Sequence, residues 1–150
     1  MQGALCEEAK AVNSIPCDQR AAGTVNGSLG GTSGWIDTEG FDRAEVQLQL
    51  GAADDTLTQI DCQVFENEGV SGNGDQIDGA EIVTLTGTLN DNAIALIDIR
   101  LGGRAAGTRK RYIRPRVIMG PSGNCDYGVV VRLYGARSQP VSQAITPVLV

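Results

Sequence analysis

A chain of 150 residues has the length of one typical domain, and its formal net charge of -6 argues against nucleic-acid binding, whose usual footprint is a basic domain. The 20 glycines and the 4% aromatic content indicate many turns between short elements, which favours an all-β fold. The absence of histidine removes the commonest general base, so we expect neither an enzyme nor a cofactor.

The start of the chain has little periodicity and includes GTVNGSLGGTSG, from Gly23 to Gly34. A stretch so rich in Gly, Ser and Thr is typical of an extended arm or a long loop. We therefore predict an N-terminal arm or loop over residues 1–34 and a β-sandwich domain over residues 35–150. The first residues lack a basic leader and an apolar run, and no window approaches the roughly 20 apolar residues of a membrane span, so we expect synthesis in the cytoplasm and no membrane contact.

Strict alternation of apolar and polar residues, the pattern of a half-buried strand, begins with the segment AEVQLQL at 44–50. The segment TQIDCQVF at 58–65 repeats the pattern and places Asp61 on the outward, solvated face. The predicted inward residues are Ala44, Val46, Leu48 and Leu50 in the first segment and Ile60, Cys62 and Val64 in the second.

A polar stretch follows at 66–79, ENEGVSGNGDQIDG, and we predict a long loop there. Its carboxylates are oxygen ligands of the kind that calcium needs, but their spacing is not that of an EF-hand, and turn-forming residues explain the composition equally well. We predict no metal site, and calcium binding by this loop stays open. The carboxylates in question are Glu66, Glu68, Asp75 and Asp78.

Four more strand candidates lie at 81–87, 93–101, 111–119 and 127–135. Short segments with turn chemistry join them, such as GPSGNCD at 120–126. Six strand candidates without a convincing amphipathic helix predict an all-β fold, a β-sandwich or jelly-roll-like barrel with an extended N-terminal arm.

The four cysteines, Cys6, Cys17, Cys62 and Cys125, show no C-x-x-C spacing and have no histidine to complete a zinc site. In an oxidising compartment Cys6 and Cys17 are the favoured pair because they close a short loop. In a reducing compartment all four are free thiols. The sequence leaves both states open.

Charge is divided unevenly along the chain. Residues 1–98 hold 17 acidic and 3 basic side chains, whereas residues 99–150 hold 9 basic and 1 acidic side chain. The basic residues cluster in TRKRYIRPRVIM at 108–119, as Arg109, Lys110, Arg111, Arg114 and Arg116. Opposite charges in the two halves predict association between copies of the chain or with another protein.

Alternation in this cluster places Ile113, Pro115, Val117 and Met119 inward, and Arg114 and Arg116 on the outward face. Because Pro115 cannot donate to a central ladder, we predict an edge strand or a bulge. Only Tyr112 offers an aromatic stacking platform within the cluster, so protein carboxylate is a better partner than nucleic-acid phosphate. The apolar end of the chain, Val148, Leu149 and Val150, is predicted to dock onto a neighbour.

The run SGWIDTEGFDRAEVQLQLGAADDTLTQIDCQVFENEGVSG, followed by RYIRPRVIM and VVVRLYGARSQPV, resembles a group of small virion proteins of tailed bacteriophages. The resemblance covers residues 33–141 and is a pattern of strands and loops without a catalytic signature. It implies a capsid decoration or cement protein, a homotrimer or other homo-oligomer that binds the major capsid protein on the outer surface of the head. The hypothetical contact residues are then Trp35, the five basic residues of the cluster and Val148 to Val150.

Two alternatives remain at this level. The first is a component of the tail or of the head-tail connector. The second is a sugar- or surface-binding β-sandwich, which normally presents exposed aromatic platforms. The aromatic candidates for such a platform are Trp35, Tyr112, Tyr127 and Tyr134.

Overall fold

The computed structural model describes residues 9–86, 90, 92–101 and 109–136. In that part of the chain there is no helix long and apolar enough to cross a membrane. The strands are β1 (Ala9–Asn26), β2 (Ile36–Asp37), β3 (Phe41–Ala53), β4 (Gln59–Asn67), β5 (Asp75–Leu85), β6 (Ile94–Arg100) and β7 (Tyr112–Ala136).

The long strand β7 organises the sheet. The path of hydrogen-bonded neighbours is β5-β4-β7-β3-β6, and β1 and β2 pair with β7 off this path. The first part of β7 pairs with β4 and its later part pairs with β3, always antiparallel. The terminal strands of the path, β5 and β6, also contact each other, so the sheet curls into a nearly closed barrel. The predicted all-β, sandwich or jelly-roll-like fold is confirmed.

The alternating residues form the core as predicted. Every predicted inward residue of β3 and β4 is buried, and so are the inward residues of the first part of β7. Asp61 is an exception to the predicted pattern, because it is 8% exposed and accepts a hydrogen bond from Gln59 Nε2 at 2.6 Å. The prediction of a solvated Asp61 was therefore wrong, and the side chain of a neighbouring residue meets its need for a donor.

The first described segment, Ala9–Asn26, is a strand, and the prediction of an arm or loop over this part was wrong. It pairs with β7 from Ala9 opposite Tyr134 to Asn26 opposite Arg116, with three irregularities in register. Within β1 only Val12, Ser14 and Ile15 are fully buried. The alternation of apolar and polar residues that marks the other strands is therefore weak here. Backbone pairing along β7 holds this segment in the sheet.

The glycine-rich stretch after β1 packs closely against the sheet. A Cβ on Gly30 would lie 1.9 Å from Cγ1 of Val12, and a Cβ on Gly34 would lie 1.8 Å from the carbonyl oxygen of Gly27. Gly34 also has a φ of 75°, which favours glycine. The glycines therefore permit a close approach of backbone to its neighbours here, in place of the arm that composition predicted.

One predicted loop lies entirely within a strand, and another is shorter than expected. The segment 120–126 lies within β7, which runs through it without interruption, and the peptide bond between Gly120 and Pro121 is cis. Of the predicted loop 66–79, the part from Asp75 onward belongs to β5. Turn-forming residues therefore lie inside strands at both places.

Of the two alternatives predicted for Pro115, an edge strand or a bulge, the edge strand was wrong. Its segment of β7 has β4 on one side and β1 and β2 on the other. The carbonyl of Pro115 accepts the N–H of Gly27 at 2.8 Å, and the nitrogen of a strand residue points to the same side as its carbonyl. The proline nitrogen thus faces the interruption between Asn26 and Ile36, where the ladder does not need its N–H.

Candidate interaction surface

The basic cluster divides into two groups. Arg109, Lys110 and Arg111 precede β7, and Arg114 and Arg116 lie on the outward face of its first part. The first group contacts carboxylates, and the second contacts aromatic rings.

Arg111 is held by two carboxylates of the segment around β2. Its Nε lies 3.0 Å from Oδ1 of Asp37 and its Nη2 lies 2.7 Å from Oδ2 of the same residue. Nη2 also lies 2.6 Å from Oε2 of Glu39. The hydrogen bond from Arg111 lowers the pKa of Asp37, and the same bond raises the pKa of Arg111. This bidentate geometry is the strongest form of an arginine-carboxylate pair.

Lys110 and Arg109 contact the carboxylates of β4 and β5. The ammonium of Lys110 pairs with Asp75, which raises the lysine pKa, and its backbone N–H donates to Oε2 of Glu66 at 3.1 Å. Nη1 of Arg109 lies 3.7 Å from Oε1 of Glu66. The carboxylates that face the first group therefore belong to this same chain.

Arg114 and Arg116 are stacked on aromatic side chains. The guanidinium carbon of Arg114 lies 4.3 Å from the centroid of the Trp35 ring, and that of Arg116 lies 3.9 Å from the centroid of the Phe65 ring. Nε of Arg116 donates to Oδ1 of Asn26 at 2.9 Å. Burial lowers the pKa of Arg114, and the nearby charge of Arg116 lowers it further. Across the described ranges neither arginine forms a salt bridge with a carboxylate.

Trp35 supports this surface from below. It is 1% exposed, so its ring is covered and does not offer the direct partner contact that the sequence predicted. A Cβ on Gly74 would lie 2.5 Å from Cη2 of Trp35, which shows how closely the loop before β5 packs on the indole. The ring thereby fixes Arg114 in place.

The other aromatic residues do not form an exposed platform either. Tyr127 is fully buried. Tyr112 lies under Arg111, with 5.3 Å between the guanidinium carbon and the ring centroid. Tyr134 contacts Arg43 in the same manner at 5.7 Å, and its hydroxyl donates to Asp98. The aromatic surface expected of a sugar-binding module is therefore not present on these residues.

The remaining predicted site residues fall in two places. Val148, Leu149 and Val150 lie outside the described residues, as does Cys6. Glu66 and Asp75, two of the possible calcium ligands, face Arg109 and Lys110 instead. Within the described ranges, no three or more acidic, Cys or His residues come together as a metal site.

The sequence analysis missed the exposed apolar side chains on the two terminal strands of the sheet path, β5 and β6. Ile94 and Leu96 of β6 are 63% and 57% exposed, and Val83 of β5 is 54% exposed. The run of apolar residues at the start of β6 was the available signal, because a half-buried strand normally has polar residues at its outward positions.

A small cleft between these same two strands is lined by charged and apolar residues, among them Asp78, Asp98, Arg100 and Arg109. Its volume of about 120 Å³ is well below the roughly 300 Å³ at which small-molecule sites begin. The cleft is therefore too small to be a typical small-molecule site. The candidate site remains the outer face on which two arginines are stacked on aromatic rings.

No protein-family model and no curated protein matches this chain. Among solved structures, this chain is similar to a protein of Bacillus endospore appendages, which form disulfide-linked pili. The two sequences are 15% identical, the match covers 89% of this chain and 96% of that chain, and the TM-score is 0.38. A chain of Broad Bean Stain Virus has 11% identity, 95% coverage of both chains and a TM-score of 0.39. A family 11 carbohydrate-binding module from Clostridium thermocellum, in complex with a β-1,3-1,4-mixed-linked tetrasaccharide, has 15% identity, 93% and 94% coverage and a TM-score of 0.37. Likeness at this level is limited to an all-β arrangement.

Proposed function

We propose that this chain is a structural virion protein that binds the outer surface of a bacteriophage capsid and stabilises the shell through protein-protein contacts. The observation that carries the proposal is the pair Arg114 and Arg116. They stand two residues apart on one face of β7, and each guanidinium lies on an aromatic ring.

The basic residues of the cluster differ in whether they contact carboxylates of their own chain. Arg109, Lys110 and Arg111 each contact carboxylates of their own chain, although the chain has 18 acidic residues and only 12 basic ones. Arg114 and Arg116 are instead fixed by stacking, close enough for one charge to lower the pKa of the other. A carboxylate supplied by another protein would relieve that repulsion and accept the planar fork of donors that arginine offers.

The choice of a capsid as the partner is supported by the resemblance of residues 33–141 to phage virion proteins. In this proposal the carboxylates belong to the major capsid protein, and the chain is made in the host cytoplasm and carried in the virion. Binding only to the assembled shell would stabilise that state by mass action. Copies of the chain bound at neighbouring positions would then form a homo-oligomer on the capsid surface.

The test is a binding assay with purified phage particles that lack the protein. We expect Arg114→Glu combined with Arg116→Glu to lower occupancy by at least about tenfold at a fixed concentration, since like charges placed opposite each other across an interface cost several kcal/mol. The matched control is Arg100→Glu with Arg132→Glu, which makes the same change in net charge on strands β6 and β7 away from this pair.

Equal occupancy for both double variants would remove Arg114 and Arg116 from the interface. A third variant, Arg114→Lys with Arg116→Lys, keeps the charge and removes the planar fork, and we expect intermediate occupancy. Circular dichroism of each isolated variant checks the fold. Imaging of the particles then separates the head from the alternative site, because a tail or connector component would appear at a single vertex.

A further inference from the structure

The outward face of the first part of β7 carries a regular row of half-buried side chains. This outer row consists of Tyr112, Arg114, Arg116 and Ile118, and the residues that alternate with them are buried in the core. Alternate residues of a strand lie about 6.7 Å apart on one face, since each residue advances the strand by about 3.3 Å. The outer row therefore places two positive charges at its centre, with an aromatic or apolar side chain at each end.

Aromatic rings hold the two guanidinium groups of the outer row in place. The guanidinium carbon of Arg114 lies 4.3 Å from the ring centroid of Trp35, and that of Arg116 lies 3.9 Å from the ring centroid of Phe65. Trp35 is buried and Phe65 is half-buried, so the fold itself positions both rings. A partner therefore meets two charges at a set spacing.

The residues directly opposite the two arginines on β4 are uncharged. Phe65 lies opposite Arg114, and Gln63 lies opposite Arg116. The next outward residue of β4 is Asp61, but its side chain is buried and accepts a hydrogen bond from a neighbouring glutamine at 2.6 Å. The charge of the outer row is thus suited to an anionic partner with two charged groups.

Acidic residues separated by one position already contact another arginine of the basic cluster. Nη2 of Arg111 lies 2.7 Å from Oδ2 of Asp37 and 2.6 Å from Oε2 of Glu39. Asp37 is the last residue of β2, and Glu39 follows two positions later. A segment of the form Asp-x-Glu can therefore place both of its carboxylates against the basic cluster.

We propose that the outer row binds an extended segment of the partner protein in which two acidic residues occupy alternate positions, Asp/Glu-x-Asp/Glu. This inference rests on the proposed function, because it takes the carboxylates of a capsid protein as the ligand. A strand laid along β7 repeats its side chains at the same interval of about 6.7 Å, so both carboxylates meet both guanidinium groups together. Apolar residues that flank the acidic pair then lie on Tyr112 and Ile118.

The interval of the outer row distinguishes an extended segment from a helix. A helix repeats the side chains of one face about every 5.4 Å along its axis, which is about 1.3 Å less than the interval on β7. Over the three intervals from Tyr112 to Ile118 the mismatch grows to about 4 Å, more than the roughly 3 Å length of a hydrogen bond. A helix can therefore match part of the outer row but not all of it.

The experiment measures peptide binding to the isolated full chain through the fluorescence of Trp35, its single tryptophan. The Trp35 ring lies under Arg114, so a carboxylate that binds this guanidinium changes the electric field at the indole. The probes are two disulfide-cyclised β-hairpin peptides of identical composition. One has two glutamates at alternate positions on one face, and the other has them at adjacent positions on opposite faces. We expect the dissociation constant of the first hairpin to be at least about tenfold lower.

Arg114→Gln and Arg116→Gln are the test variants, because one remaining arginine cannot distinguish the two spacings. Each variant should bind the two hairpins with dissociation constants within about twofold of each other, as measured by isothermal titration calorimetry. The matched control is Arg132→Gln. Arg132 is an outward arginine of the later part of β7 and pairs with Glu45, so its loss should leave the preference of about tenfold unchanged.

Equal affinity of the wild type for the two hairpins, or no binding of either hairpin at millimolar concentration, would overturn the proposal. Tighter binding of an alanine-rich helical peptide with two glutamates on one face would do the same. So would tighter binding of a thymidine oligonucleotide, because phosphate would then be the better ligand. Each of these results refutes the extended acidic segment alone, whereas the proposed function fails when Arg114→Glu with Arg116→Glu leaves capsid occupancy unchanged.

Discussion

Replacing Tyr127 with phenylalanine is expected to stabilise the protein. Tyr127 is fully buried, and in the described part of the chain its hydroxyl has no hydrogen-bond partner. Burial raises the pKa of this hydroxyl to about 12, which reflects how poorly the surroundings solvate it. Its ring packs in the core and lies under the guanidinium of Arg20, with 5.2 Å between the guanidinium carbon and the ring centroid.

The expected magnitude follows from the balance of two effects. Burying a hydroxyl without a partner costs about 1–3 kcal/mol by mutational data. Phenylalanine keeps the ring, its packing and the arginine above it, and it leaves only the small space of one oxygen atom. We therefore expect Tyr127→Phe to raise the free energy of unfolding by about 1 kcal/mol, equivalent to roughly 2–4 °C in Tm for a chain of this size.

The assay is urea unfolding monitored by the fluorescence of the single tryptophan. A stabilised variant shifts the midpoint to higher urea without changing the slope. The matched control is Tyr134→Phe, which removes a hydroxyl that donates to Asp98 at 2.9 Å on an outward face and should lower stability by under about 1 kcal/mol. If Tyr127→Phe instead lost 1 kcal/mol or more, the hydroxyl would have a partner in the folded protein and the reasoning would be refuted.

Three further expectations concern the backbone, pH and thiol chemistry. Gly74→Ala should lower the free energy of unfolding by roughly 2 kcal/mol or more and shift the tryptophan fluorescence, because the φ of Gly74 is 69° and the new Cβ would meet the indole of Trp35. Gly72 has a φ of 82° with open space around it, so Gly72→Ala should cost only about 1 kcal/mol. Equal losses in the two variants would contradict the close contact. The hydrogen bond from Arg111 lowers the pKa of Asp37 below its ordinary value of 3.8. The contribution of Asp37 to stability is therefore present above that value and is lost as pH falls through the lower pKa of the folded state. The free energy of unfolding should fall less steeply with acid in Asp37→Asn than in the wild type, and identical acid profiles would refute this. Burial raises the pKa of the Cys62 thiol to about 12, whereas Cys17 is exposed. Iodoacetamide at mildly alkaline pH should therefore label Cys17 in the folded protein and Cys62 only after denaturation, as measured by peptide mass spectrometry. Rapid labelling of Cys62 in the native protein would show that its strand opens.

The local pattern of the sequence was sufficient to predict the core strands. Alternation places the inward residues of β3 and β4 correctly because each strand has one face in the core and one toward solvent. The same reasoning correctly places Arg114 and Arg116 outward on β7. It fails at Asp61, because a polar side chain can be buried when a neighbour supplies its hydrogen bond, as Gln59 does here.

Strands held mainly by backbone pairing could not be predicted in the same way. Much of β1 is polar and half-exposed, and its register with β7 is irregular, so the sequence carries little alternation. Glycine and proline at 120–123 indicated a turn, yet β7 continues because it pairs with β1 before and after them, with Met119 opposite Gly23 and Asn124 opposite Ala21. Local propensity is overridden in both places by pairing with distant residues.

The pairing of the basic cluster was likewise beyond local patterns. Lys110 meets Glu66 and Asp75 across 44 and 35 residues of sequence, and Arg111 meets Asp37 across 74. The sequence analysis predicted a carboxylate of another protein as the partner of these cations, whereas the carboxylates that they contact here belong to the same chain. Which carboxylate it is depends on which loops the sheet brings to the start of β7, and only the topology determines that.

The position of β7 in the chain has a consequence for how the protein is made. Strands β1, β2, β3 and β4 all hydrogen-bond to β7, yet β7 follows them all in sequence. During translation these earlier strands leave the ribosome before their common partner exists. Folding of the sheet must then wait for residues 112–136, and its non-local contacts favour the millisecond-to-second rates of all-β domains. Until that point β1 and β2 lack the strand with which they pair, whereas β3 and β4 can already pair with β6 and β5.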